Sequence, residues 1–273
     1  MARFCYAIHC VGGGNVSTAA MDRLSAFVDA EQCRFEPMAG IAFASSMAHV
    51  GRYGRFLALI VDRYEAASEA HIAETEAFIA AARAGSEYPD KRLEESQQLI
   101  DALHLEIEAF YLFAKILLDH AAHAIYYYFG PARGVRLFRH SVLVKRLNDY
   151  AAAKHLDIPD GFLARAIELR ARIADYRDAN VTHDNSSRTI YATIHDSISR
   201  KAQLAPSRLR PIEPEDQDRR SDSPSELLVV VHEYIEGFVS LLEANRSRTG
   251  LALIERRGGM SSELGQPSSQ SFS

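Results

Sequence analysis

A 3–4 spacing of apolar residues runs through the middle of the chain. Leu93, Ile100, Ile107, Ala114, Ala121 and Tyr128 recur every seven residues, and Leu103, Phe110, Leu117 and Ala124 fall between them. On an α-helix this spacing gathers the side chains into one stripe. Such a stripe suits knobs-into-holes packing against other helices. At 1.5 Å per residue the helix would be on the order of 55 Å long, with Gly130 and Pro131 as its stop. An element of that length restricts the chain to a bundle of long helices.

The same spacing returns further on. Phe162, Ala166, Leu169, Ile173 and Tyr176 step by four and three, and so do Leu228, Val231, Ile235, Phe238 and Leu242. The last series has a capped start: Ser223 as cap, Pro224 at the first helical position and Glu226 to complete a capping box. Helical pattern is also expected at 17–30, from 41 onward, over 62–84 with Gly85 as the stop, and over 135–155. Residues 188–195 and 198–204 are rich in β-branched residues with weak alternation, which predicts a small hairpin. The proline-rich, charged stretch 205–223 predicts an exposed loop or linker. The expected fold class is therefore all-α, a long-helix bundle with a small β-hairpin inserted before the last helix. Residues 1–60 form an N-terminal segment of unclear structure packed on the bundle, 61–247 the helical domain, and 248–273 a disordered tail. Residues 4–11 suggest a short strand, with Gly12, Gly13 and Gly14 as a turn. No Gly-Lys-Ser/Thr follows them, so a phosphate-binding loop is not expected.

Composition narrows the function classes. A chain of 273 residues, 47% hydrophobic and 25% charged, can bury a self-sufficient core. A formal net charge of −5 argues against a general nucleic-acid coat protein. Any RNA contact must come from a local patch, and the most basic stretch holds Arg133, Arg136, Arg139, His140, Lys145 and Arg146. Cys5, Cys10 and Cys33 are too few and too clustered for a disulfide framework, which points to a reducing cytoplasm. No signal peptide and no membrane span are expected.

Asp119, His120 and His123 share one helix, but no HExxH or ExxH pair accompanies them, so neither a metal site nor an organic cofactor is expected. These histidines are assigned to helix faces. Tyr126, Tyr127, Tyr128 and Phe129 are assigned to core and interface. The absence of GxSxG, kinase and CxxC motifs removes serine hydrolase, kinase and zinc-ribbon chemistry.

One short motif carries a functional expectation. Arg177 is followed by Asp178, and five residues separate Arg177 from His183, at the end of an amphipathic helix. The bare spacing also occurs from Arg3 to His9. Context singles out Arg177: long helices precede it, and a further long helix follows after an irregular insertion. In that setting the stretch resembles the signature of the HEPN superfamily over roughly residues 90–245. The resemblance implies a metal-independent endoribonuclease acting as a homodimer in toxin–antitoxin or antiphage defence. It also implies RNA as substrate and a cognate antitoxin or nucleotidyltransferase as partner. Asn185 stands where some members carry a modifiable tyrosine, which takes that route of regulation out of the expectation.

The chemistry suits the residue types. Histidine can move a proton at the 2′-hydroxyl or the leaving 5′-oxygen. Arginine offers a planar cationic fork to a phosphorane gathering negative charge. Asp178 would orient either side chain, and Asn180, Arg136 and Arg139 would contact phosphate. The alternatives are a structural Arg177–Asp178 pair at a solvated helix end and, for the whole chain, a non-enzymatic helical module that dimerises or binds a partner.

Overall fold

A computed structural model describes residues 19–87, 90–178, 188–195, 202–211 and 221–254. The expected strand at 4–11 and the glycine turn lie outside these residues, as does the tail from residue 255.

The fold is an all-α bundle. Its elements in chain order are α1 (Ala19–Gln32), α2 (Pro37–Ala84), α3 (Asp90–Phe129), α4 (His140–Lys154), α5 (Phe162–Leu169), β1 (Arg188–His195), β2 (Ala202–Pro211) and α6 (Pro224–Ala244). No helix among the described residues is long and apolar enough to cross a membrane.

The long antiparallel pair α2–α3 is the frame, and α1, α4, α5 and α6 pack on it. The repeat on α3 faces inward from Leu103 on: Leu103, Ile107, Phe110, Ala114, Leu117, Ala121, Ala124 and Tyr128 are fully buried, whereas Ile100 is partly buried and Leu93, at the start of the stripe, is exposed. Residues 19–60 contribute directly to this core. α1 packs on α2 and α6, burying Leu24, Phe27 and Val28. Phe27, Phe35, Phe43 and Tyr128 form an aromatic node with ring centroids 5.3–6.3 Å apart.

Where the sequence suggested separate helices before residue 84, α2 is one helix of 48 residues. Pro37 opens it, and Gly85, at φ 64°, closes it with bonds back to Ala81 and Ala82. The left-handed backbone there is open to glycine at little cost. At the start of α6, Ser223 and Glu226 make the expected capping box, which contributes about 1 kcal/mol.

Three boundaries move. α4 begins at His140, not near 135. The His140 amide donates to the Asp119 carboxylate of α3 at 2.8 Å, so the helix starts where a neighbouring helix supplies its cap. The hairpin exists and β1 has the expected bounds, but β2 runs to Pro211 and overturns the loop assignment for residues 205–211. The register shifts between Tyr191 and Thr193, opposite the stretch holding Pro206. A bulge accommodates a residue that cannot donate to the ladder. At the other end of that expected loop, Ser221 and Ser223 are buried. Finally, the expected tail begins inside the fold: Leu253 pairs with Phe35, and the Glu36 amide donates to the Ala252 carbonyl at 3.0 Å.

Candidate functional site

The helix that carries the motif is not uniform. α5 continues as a π-helical segment, Arg170–Asp175, and ends around Asp178. Ile173 and Ala174 are both buried, a consecutive pair that breaks the 3–4 stripe. π segments insert an extra residue per turn and occur often at functional sites.

The segment is held from two sides. Tyr176 stacks on Tyr111 of α3 with ring centroids 4.8 Å apart, and the Tyr111 hydroxyl accepts the Asp222 amide at 3.1 Å. Arg172 donates to Asp222 at 3.0 Å and to Glu168 at 2.9 Å. Burial works against the Arg172 charge, but these carboxylates outweigh it and hold its pKa above the usual value.

Arg177 lies at the end of this helix. Its Nε donates to the Asp178 carboxylate at 2.9 Å, and the side chains are 21% and 49% exposed respectively. The guanidinium is therefore oriented by a neighbouring carboxylate while part of it reaches the surface. His183 and Asn180 lie outside the described residues.

Arg136 and Arg139 are exposed but belong to a different part of the molecule. Phe138, between them, packs on His123 and Tyr126 of α3, whereas Tyr176 packs on Tyr111. About twelve residues of helix separate those levels, roughly 18 Å along the axis. The fold thus brings Arg177 and Asp178 together and leaves the two loop arginines apart from them.

A second polar group includes His140, which the sequence places in the basic stretch open to RNA and the structure buries. His140 is fully buried on α4, edge-on to Tyr234 of α6 with centroids 5.5 Å apart. Among the described residues, neither ring nitrogen of His140 nor the Tyr234 hydroxyl has a hydrogen-bond partner. Burial pushes the His140 imidazole down to about 4, with Lys115 and Arg170 acting in the same direction against Asp119. Lys115 and Asp119 are paired at 2.6 Å beside it. His140 sat in a stretch that looked basic and solvated, and nothing in its local pattern marks it as buried. The signal was Asp119, an acid 21 residues upstream whose carboxylate caps α4.

The other histidines of α3 take helix-face roles. His120 stacks between His49 and Tyr53 of α2, with ring centroids 4.8 and 5.3 Å away. Among the described residues, no group of three or more His, Cys, Asp or Glu is placed to hold a metal ion. Tyr128 and Phe129 are core, as assigned.

The chain matches no family model, no curated protein and no solved structure. Its class is defined by architecture alone: an all-α bundle with a hairpin insertion and an arginine–aspartate pair at the end of a π-broken helix.

Proposed function

We propose that the chain is a HEPN-like domain that cleaves RNA without a metal ion or other cofactor. The observation that carries this reading is the Arg177–Asp178 pair. Its guanidinium is fixed through Nε and partly exposed, at the end of a helix packed in a long-helix bundle. That is the setting of the resemblance.

In this reading the 2′-oxygen attacks the adjacent phosphorus and gives up its proton, and the 5′-oxygen leaves and takes one. His183 moves the proton, and Arg177 stabilises the equatorial charge with its guanidinium cation. Asp178 is a positioning residue that fixes the guanidinium plane. Asn180 contacts phosphate, and Arg136 and Arg139 hold a more distant part of the strand. The chain acts as a homodimer with a cognate antitoxin or nucleotidyltransferase as partner, in toxin–antitoxin or antiphage defence.

The test compares wild type, Arg177→Ala and His183→Ala on mixed RNA in EDTA, with circular dichroism to establish that all three fold. EDTA-resistant cleavage by wild type alone supports the reading. Equal background in all three overturns it.

A second reading, a non-enzymatic helical module, is favoured by a different observation: the exposed apolar residues Phe56 and Leu59 on α2 and Leu105 and Leu112 on α3.

A further inference from the structure

Charge is divided unevenly along the α2–α3 hairpin. Residues 37–61 of α2 hold two arginines and no carboxylate. Residues 109–148, from α3 into α4, hold six arginines and lysines and one carboxylate, Asp119. In a chain of net charge −5 the acids are thus concentrated elsewhere. Asp119 is already engaged, by Lys115 and by the His140 amide. The next carboxylates along the two helices, Asp62 and Glu108, lie ten and twelve residues from Arg52 and His120, about 15–18 Å along the axes.

Three cations of this region are unpaired. Among the described residues, Arg52, Arg136 and Arg139 are exposed and form no ion pair, whereas Arg23, Arg34, Arg63, Arg165, Arg172 and Arg246 each hold a carboxylate. A row of rings connects the three. In the seam between α2 and α3, His49 stacks on His120 and His120 on Tyr53, and Tyr53 stacks on Phe113 at 5.9 Å. Burial lowers the His120 pKa, and His49, His123 and Arg52 act in the same direction against Asp119, which puts Arg52 beside this row. One turn on from His120, exposed His123 meets Phe138 at 5.5 Å. Phe138 is 48% exposed and lies between Arg136 and Arg139 in the chain. The strip therefore carries Arg52 at one end, Arg136 and Arg139 at the other, and rings between them. α1, which brings Asp22 and Asp29, packs on another flank of α2, against Ala48, Gly51 and Arg55.

We propose that this strip binds a single-stranded nucleic acid. Such a strand offers phosphates to unpaired guanidiniums and unstacked bases to exposed rings at the same time. A duplex keeps its base faces covered, and an anionic bilayer has phosphate but no ring to stack. Arg52, Arg136 and Arg139 hold phosphates, and Phe138 stacks a base. Charge and stacking do not depend on the 2′-hydroxyl, so DNA strands bind as RNA strands do. The strip does not rest on the ribonuclease reading. Tyr176, beside Arg177, packs at the level of Tyr111, about 18 Å along α3 from His123.

The experiment is fluorescence anisotropy of a labelled oligothymidylate of about 12 nucleotides with the full chain in EDTA. DNA has no 2′-hydroxyl for the ribonuclease reading to use, so binding is read without cleavage. Wild type should bind, and more weakly as salt rises. Arg52→Glu/Arg139→Glu should weaken binding by about tenfold or more and flatten the salt dependence. Phe138→Leu keeps an apolar body against His123 and Tyr126; it should weaken binding by about fivefold with the salt dependence unchanged. Arg83→Glu/Lys91→Glu makes the same change of net charge on exposed residues at the far end of the hairpin. That control should bind within about twofold of wild type, because charges so distant are screened. Matching melting curves establish that the variants fold. Co-sedimentation with phosphatidylserine vesicles tests the competing ligand. A wild type that does not bind the oligomer, or that binds the vesicles in its place, would overturn the proposal. So would strip variants that bind as tightly as wild type, or a distant control that loses as much affinity as they do. Absent DNA binding leaves the EDTA cleavage test standing, and absent cleavage leaves the strip standing, so the two readings fail separately.

Discussion

The carboxylate of Glu31 on α1 is fully buried and accepts the hydroxyl of Tyr128, near the end of α3, at 2.6 Å. Arg246 donates to its other oxygen at 2.8 Å, and Arg34 also pairs with it. Arg246 in turn lies over the Phe27 ring at 5.7 Å. One carboxylate thus ties α1 to α3 and to the turn after α6.

Removing it leaves a buried hydroxyl without an acceptor, whereas the two arginines, both partly exposed, can return to water. Glu31→Ala should therefore cost about 2 kcal/mol, most of it from the Tyr128 hydroxyl. Glu31→Gln keeps an acceptor and should cost less. Tyr128→Phe in the Glu31→Ala background should add little, because the stranded hydroxyl is gone. Urea unfolding of these chains and of Tyr128→Phe alone checks this. Additive losses would mean that the two side chains are not coupled.

His140 makes the fold acid-sensitive. Its folded pKa, about 4, lies below the unbound value of 6.5. The unfolded chain thus takes up a proton that the native state refuses. The contribution is intact above pH 6.5 and is lost as pH falls toward 4, by about 3 kcal/mol in total. His71, His120 and His232 are also depressed by burial and steepen the same window. His140→Phe keeps a ring against Tyr234 and removes two unpartnered nitrogens. It should flatten part of the slope and be neutral or stabilising at pH 7. Stability measured at several pH values decides this; an unchanged slope would show that His140 is not the group responsible.

Ser207 ties the hairpin to α2 through three hydrogen bonds. Ser207 of β2 receives the Tyr64 hydroxyl on its carbonyl at 2.8 Å, donates its amide to Ser68 at 2.9 Å, and its hydroxyl meets His71 Nδ1 at 3.0 Å. These three α2 residues lie on one helix face at spacings of four and three. Ser68→Ala strands a buried amide and should cost about 1–3 kcal/mol. The loss should be local, with faster hydrogen exchange in β1 and β2 than in α3. Uniform acceleration across the chain would mean that the hairpin does not open on its own.

What the sequence revealed follows from how each feature is encoded. The α3 stripe, the Gly85 stop and the Ser223 capping box are local consequences of helix geometry, so spacing alone exposes them. The start of α4 depends on Asp119, whose contact with His140 spans 21 residues. Glu31 sits at a position where a carboxylate ordinarily faces water, and only Tyr128, Arg34 and Arg246 make its burial tolerable. Proline and charge suggested a loop over 205–211, because a bulge that admits Pro206 has no composition signature of its own. At the motif, adjacency gave the Arg177–Asp178 pair. The π segment that precedes it, and the stacking of Tyr176 on Tyr111, are tertiary features that no spacing announces.

Arg177 offers the sharpest functional prediction, because its charge and its geometry can be separated. Lysine keeps the charge and loses the planar fork and the Nε that binds Asp178. In the ribonuclease reading, Arg177→Lys should lower kcat by about 10–100-fold with a smaller effect on KM, since the fork is needed most when charge develops on phosphorus. Asp178→Asn should fall between wild type and that variant, because an amide oxygen can still accept the 2.9 Å bond from Nε without the ionic attraction. Single-turnover cleavage in EDTA gives the order. An Arg177→Lys enzyme as fast as wild type would reduce Arg177 to a general phosphate-attracting charge. Asp178→Asn falling below Arg177→Lys would instead make the carboxylate, and not the guanidinium, the group the reaction depends on.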